Sequence, residues 1–144
     1  MKRNLIAALL LTLATAAVST GQTGPGDTIV NVPFSFFAGQ QQLPPGRYIV
    51  SPLDETNVRI FSSHTKGALV ATHAAHRTNA NGSKLVFHRY GDRIFLSSIW
   101  ISGSSVGRDV YPSRSERDLI QQGRETEVAE ISLSRESVSR ASRP

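Results

Sequence analysis

From Thr28 to Ala38 apolar and polar positions alternate: Val30, Val32, Phe34 and Phe36 share one face, Asn31, Pro33 and Ser35 the other. Period two with β-branched and aromatic residues predicts one half-buried strand. Pro33 cannot donate to a ladder, so this strand sits at a sheet edge or bulges there. Leu43-Pro44-Pro45-Gly46 is a turn, since proline fixes φ and glycine accepts positive φ. Arg47 to Pro52 follows as a strand with Tyr48 and Val50 on one face. Asp54 to Asn57 is a polar turn, Val58 to Ser62 a short strand, His64 to Gly67 a turn, and Ala68 to His76 another strand. Asn81-Gly82 is a strong turn signal.

The densest stretch is Lys84 to Trp100, two apolar runs around Gly91-Asp92. A glycine in first place suits a two-residue type II′ hairpin loop. That loop sets a register: Tyr90 opposite Arg93, Arg89 opposite Ile94, His88 opposite Phe95, Phe87 opposite Leu96. Strict alternation then gives one face of Leu85, Phe87, Arg89, Ile94, Leu96, Ser98 and Trp100. The other face carries Val86, His88, Tyr90, Arg93, Phe95, Ser97, Ile99 and Ile101. Both are largely apolar, which suits central strands covered on both sides.

Gly103 to Tyr111 reads as an irregular loop. Ser113 and Glu116 make a capping box, and Gly123 is a C-terminal stop, so a helix runs to about Gln122. Leu119 and Ile120 are its only large apolar residues. Glu127 to Leu133 alternates weakly as a last strand. The fold class is therefore mainly all-β: an antiparallel meander of about six or seven strands forming a small barrel or sandwich, with one short C-terminal helix. A transmembrane barrel needs more and longer strands.

The N-terminus adds a destination. Lys2 and Arg3 precede an apolar run from Leu5 to Val18, and small residues follow to Gly21. This is the layout of a secretory signal peptide, and the run is short of the roughly 20 residues of a spanning helix. Residues 1–21 are thus a signal, 22–27 a flexible lead-in, 28–133 one β-rich domain, and 134–144 a Ser/Arg-rich disordered tail. The expected location is the periplasm or the cell exterior. There is no cysteine, which excludes disulfides and thiolate metal sites. Losing Lys2 and Arg3 lowers the formal charge of +5 to about +3. The remaining charge is dispersed, without the one-sided basic patch that nucleic-acid binding wants.

Candidate chemistry is thin. Gly103-Ser104-Ser105-Val106-Gly107 matches the nucleophile elbow of α/β-hydrolases, but that motif needs a helix straight after it and a later histidine. The last histidine is His88, so Ser105 reads as part of a glycine-serine loop. His73 and His76 are weak metal candidates: on a helix their spacing would share a face, on a strand it separates them. No nearby carboxylate completes a ligand set, although His64 could join from its turn. A His88–Asp92 acid–base dyad is awkward, because His88 lies two pairs down the ladder from the loop. No residues are singled out as catalytic and no cofactor is expected. A face of His88, Tyr90, Arg93, Phe95 and Trp100 is a candidate binding surface, with cation–π contact between Tyr90 and Arg93.

Val32-Pro33-Phe34-Ser35-Phe36, Leu43 to Tyr48, Lys84 to Trp100 and Ser113-Arg114-Ser115-Glu116-Arg117 together carry a resemblance. The chain resembles a family of small, signal-peptide-bearing bacterial proteins over roughly residues 28 to 120. The Phe87 to Arg93 segment is the most specific part; Ile94 and Ser98 stand where Tyr and Gln are expected. The resemblance implies the domain limits and an exported location, and it carries no activity. The residues themselves favour a non-enzymatic binding or structural protein, taking a small apolar ligand in a barrel mouth or a protein along the first strand's edge. The alternative is a small metal-dependent or hydrolytic enzyme using the histidines.

Overall fold

The computed structural model describes residues 26–77, 82–101 and 106–133. They form β1 (Thr28–Val32), β2 (Phe36–Ala38), β3 (Gln41–Leu43), β4 (Gly46–Pro52), β5 (Asn57–Phe61), β6 (Ala68–His76), β7 (Lys84–Tyr90), β8 (Arg93–Trp100), β9 (Val106–Val110), α1 (Arg114–Gln121) and β10 (Glu127–Ser132). The all-β expectation holds, with one short helix near the C-terminal end of the described chain. The proposed signal peptide and the Ser/Arg-rich tail lie outside the described residues.

The strands pair as one sheet in the order β1-β4-β5-β6-β9-β8. At β8 it branches. One edge of β8 carries β7 and then β10; the other is shared by β9, at Ser98 and Ile99, and by the β2–β3 hairpin, at Phe95. Every pairing is antiparallel except the short β2–β8 contact. The sheet curls until β10 approaches β1, but the two do not pair, so the barrel is not closed. Its concave side holds the core: Val32, Val50, Val58, Leu85 and Phe87 are fully buried. Phe36 meets Tyr48 and Phe87 edge-on, at 5.5 and 5.4 Å between ring centroids. Tyr48 keeps its hydroxyl satisfied by donating to the Pro44 carbonyl at 2.5 Å.

Three features differ from the sequence reading, each for a physical reason. First, the stretch from Thr28 to Ala38 is two strands. Pro33 ends the β1–β4 ladder; beyond it β2 turns to pair with β3 and β8. The alternation survives the break, with Val30, Val32 and Phe36 all buried. Gly39, at φ 60°, allows the tight turn that brings Leu43 opposite Phe36.

Second, Val106–Val110 is not loop but β9, which bridges β6 to β8. Its glycine looks like a breaker in the sequence. In the fold Gly107 lies against the Trp100 indole, where a Cβ would overlap the ring, so glycine here permits close approach.

Third, a β-bulge interrupts the β7–β8 hairpin. From Tyr90↔Arg93 to Phe87↔Leu96 the pairing is as expected, and Gly91 has the positive φ, 65°, that the loop requires. Val86 then pairs with Ser98, leaving Ser97 as the extra residue. One added residue reverses the alternation beyond it. Ile99 therefore enters the core, and Ser98 and Trp100 move to the opposite face.

Helix α1 follows its signals closely. Ser113 caps it, its Oγ accepting from the Glu116 N–H at 3.2 Å. At the other end Gly123 has φ 68°, and the Gly123 and Arg124 N–H groups donate to the Ile120 and Leu119 carbonyls. This is the Schellman arrangement that a glycine at C′ favours.

Candidate functional site

The outer face of the β7–β8 hairpin gathers the ionisable groups. β7 places His88 and Tyr90 on it, and β8 adds Phe95 and Ser97, the last of these at the bulge. Helix α1 supplies Glu116 from above. Glu116 is only 4 % exposed and is the buried residue of that helix, whereas Ile120 is half exposed and Leu119 half-buried. The helix therefore docks through an acid, not through its two large apolar residues.

Three contacts organise this cluster. Ser97 Oγ lies 3.1 Å from His88 Nε2. His88 Nδ1 lies 3.4 Å from Glu116 Oε1. The Tyr90 hydroxyl donates to the same Oε1 at 3.4 Å. Burial pushes the Tyr90 phenol above its ordinary value; the Glu116 charge adds to this, and a hydrogen bond with Thr126 opposes it.

Most of the candidate binding face is covered. Phe95 is buried, stacked on Phe37 with 4.9 Å between centroids, and Tyr90 meets it edge-on at 5.8 Å. Arg93 lies over the Phe37 and Phe95 rings, at 5.4 and 5.8 Å, so its cation–π partners are these and not the expected Tyr90. Trp100 is buried at the far end of β8. Its indole N–H donates to Ser98 Oγ, and Arg77 stacks over the ring at 4.5 Å. His88 and Arg93 keep partial exposure.

The histidines of β6 go their own ways. His73 pairs across the ladder with Asp109, at 4.0 Å between side chains, and packs on Tyr111. His76 sits opposite Val106, three residues along a strand from His73 and so on the other face. Among the described residues no three His, Asp or Glu side chains gather as a metal site. Ser105 lies outside the described residues, and the chain after it enters β9 where the elbow motif needs a helix. His88 turns to Ser97 and Glu116, not to Asp92; sequence reasoning missed both partners.

A cavity of about 470 Å³ opens elsewhere, where β4, β6, β8 and β9 end together. Pro52, Ala74, Ile99, Ile101 and Val106 give it a mainly apolar lining, and Glu55 and Arg108 add charge. Arg108 is braced there, its Nη1 donating to the Asp54 carbonyl at 2.7 Å. The bulge contributes to this cavity, because it turns Ile99 inward. No helix among the described residues is long and apolar enough to cross a membrane. Comparison with known protein families, with curated proteins and with solved structures returns no match.

Proposed function

We propose that this is an exported binding protein for a small, mainly apolar ligand, held in the cavity beside β4, β6, β8 and β9. The observation that carries this reading is the cavity itself. It has the size and composition of a small-molecule site: an apolar lining with few polar groups to fix orientation. Arg108 and Glu55 are those groups. The export half of the reading rests on the basic start, apolar run and small-residue exit of residues 1–21. A protein partner along β1 is less favoured, because β10 already lies close to that strand.

Calorimetric titration with decanol and decanoate tests the reading. One saturable site is expected, and Ala74→Phe should abolish it with little change in unfolding midpoint, because residue 74 is exposed at the cavity wall. Absence of saturable binding of either compound by the unaltered protein refutes the reading.

A further inference from the structure

We propose that Ser97, His88 and Glu116 form a second site, a nucleophile relay that transfers acyl groups from small activated esters to Ser97. The assignment rests on which atoms meet. His88 presents Nε2 to the Ser97 hydroxyl and Nδ1 to the Glu116 carboxylate, 3.1 and 3.4 Å away. That is the division of labour in a serine–histidine–acid triad, which is recognised by geometry and roles and not by chain order. Contacts of this length are normal before substrate binds, since catalytic hydrogen bonds often tighten only in the complex.

Two further observations separate this arrangement from a chance contact. Ser97, on the His88 face by simple alternation, is itself the extra residue of the bulge. Bulges are over-represented beside active sites. The second observation is the burial of Glu116. Its side chain is 5 % exposed, and taking a carboxyl group out of water is costly. A helix that needed only to be docked would pack more cheaply with an apolar residue at that position. An acid beside Nδ1 is useful when the imidazole takes up a proton, because the resulting cation then has an opposite charge next to it. Tyr90, which donates to the same oxygen, holds the carboxylate in place. Solvent reaches the site, for the His88 side chain is 35 % exposed.

The chemistry balances with these groups alone. The Ser97 oxygen bonds to the acyl carbon as its proton passes to His88 Nε2. The ester C–O bond breaks, and the departing alkoxide takes that proton. Water then repeats the sequence: it gives a proton to His88, bonds to the acyl carbon, and the Ser97 oxygen leaves and recovers the proton. Ser97 is the nucleophile and His88 the general base. Glu116 is a positioning residue.

A fluorophosphonate probe reads the first half of this cycle, because the Ser97 oxygen bonds to phosphorus as fluoride leaves and the adduct stays. Peptide mass spectrometry should place the adduct on Ser97 and not on neighbouring Ser98. Ser97→Ala should remove it, and His88→Gln should slow labelling by about a hundredfold. Glu116→Gln should slow it by at least about tenfold. Glu116→Asp, which keeps the carboxylate, should retain more of the rate than the isosteric Gln. That rescue would not follow if Glu116 merely filled space. Circular dichroism confirms folding of each variant; should Glu116→Gln unfold, Ser97→Ala and His88→Gln still decide the matter. The proposal is overturned if the folded protein gives no Ser97 adduct, or if His88→Gln labels as fast as the unaltered chain.

Discussion

The two faces of the β7–β8 hairpin are built from the same short run of residues and held in opposite ways. The inner face is mainly apolar: Leu85, Phe87, Leu96 and Ile99 are buried in the core, and Ile99 also borders the cavity. The outer face is buried too, with Val86, Phe95 and Trp100 covered, but there polar atoms meet as well. Glu116 bridges His88 and Tyr90, Ser97 meets His88, and Ser98 meets Trp100. Burial of apolar area stabilises without regard to direction. Polar contacts contribute little net energy yet are costly to leave unmade, so they specify geometry more than they stabilise. The inner face makes the domain stable, and the outer face fixes where the helix sits.

The difference can be broken from either side. The largest effect should come from the inner face. Phe87→Ala removes a fully buried ring that meets Phe34 and Phe36 edge-on, and it should cost about 3–5 kcal/mol in denaturant unfolding. A loss below about 1 kcal/mol would show that the core can collapse around the gap, contrary to its close packing. On the outer face Glu116→Ala should cost less, about 1–3 kcal/mol, because it removes the buried acceptor shared by His88 and the Tyr90 hydroxyl. Ile120→Ala, on the same helix but half exposed, should stay within about 0.5 kcal/mol. If Ile120→Ala proved the costlier of the two, the helix would be docking through its apolar residues after all.

How far the sequence discloses this division depends on how local each cause is. The Gly91-Asp92 loop admits a single register, so the pairing near it is readable from the sequence. The bulge is not, because what selects it lies outside the hairpin: β8 must meet β7, β9 and the β2–β3 hairpin at once. The one local sign is Ser97-Ser98, two small polar residues inside an apolar run. Strict alternation across that pair misplaces Ile99 and Trp100, and the cavity with them. β9 is hidden for a similar reason, since Gly107 marks close approach to Trp100 but reads as a break. The β2–β3 hairpin does carry a local sign, since Gly39-Gln40 is a glycine-first loop like Gly91-Asp92. Glu116 reads correctly as a capping position. Its second role is invisible, because only the fold lays the helix over His88. The backbone half of the capping box forms, and the carboxylate turns down to the sheet.

A second carboxylate sharpens the contrast at the smallest scale. Asp54 is exposed, and its partners are all its immediate neighbours. Its Oδ1 accepts from the Thr56 N–H at 2.7 Å, the Asn57 N–H at 2.8 Å and the Thr56 hydroxyl at 2.9 Å, and the Asn57 amide group donates to both oxygens. The Asn57 side chain, and after it the Thr56 backbone, favour the charged form and lower its pKa to about 2. The sign follows from linkage. Folding depresses this pKa below the unfolded value of about 3.9, so the turn's contribution is present above about pH 4. It is lost as pH falls through about 2. The effect on global stability should be slight, because water competes for every one of these bonds. The amide resonances of Thr56 and Asn57 should nevertheless titrate with a midpoint near 2, and Asp54→Asn should abolish that titration. A midpoint at the ordinary carboxylate value would mean that the turn does not hold its hydrogen bonds in solution. Asp54 thus reports on a local turn and Glu116 on tertiary docking: breaking the first should leave the helix in place, and breaking the second should leave the Asp54 titration unmoved.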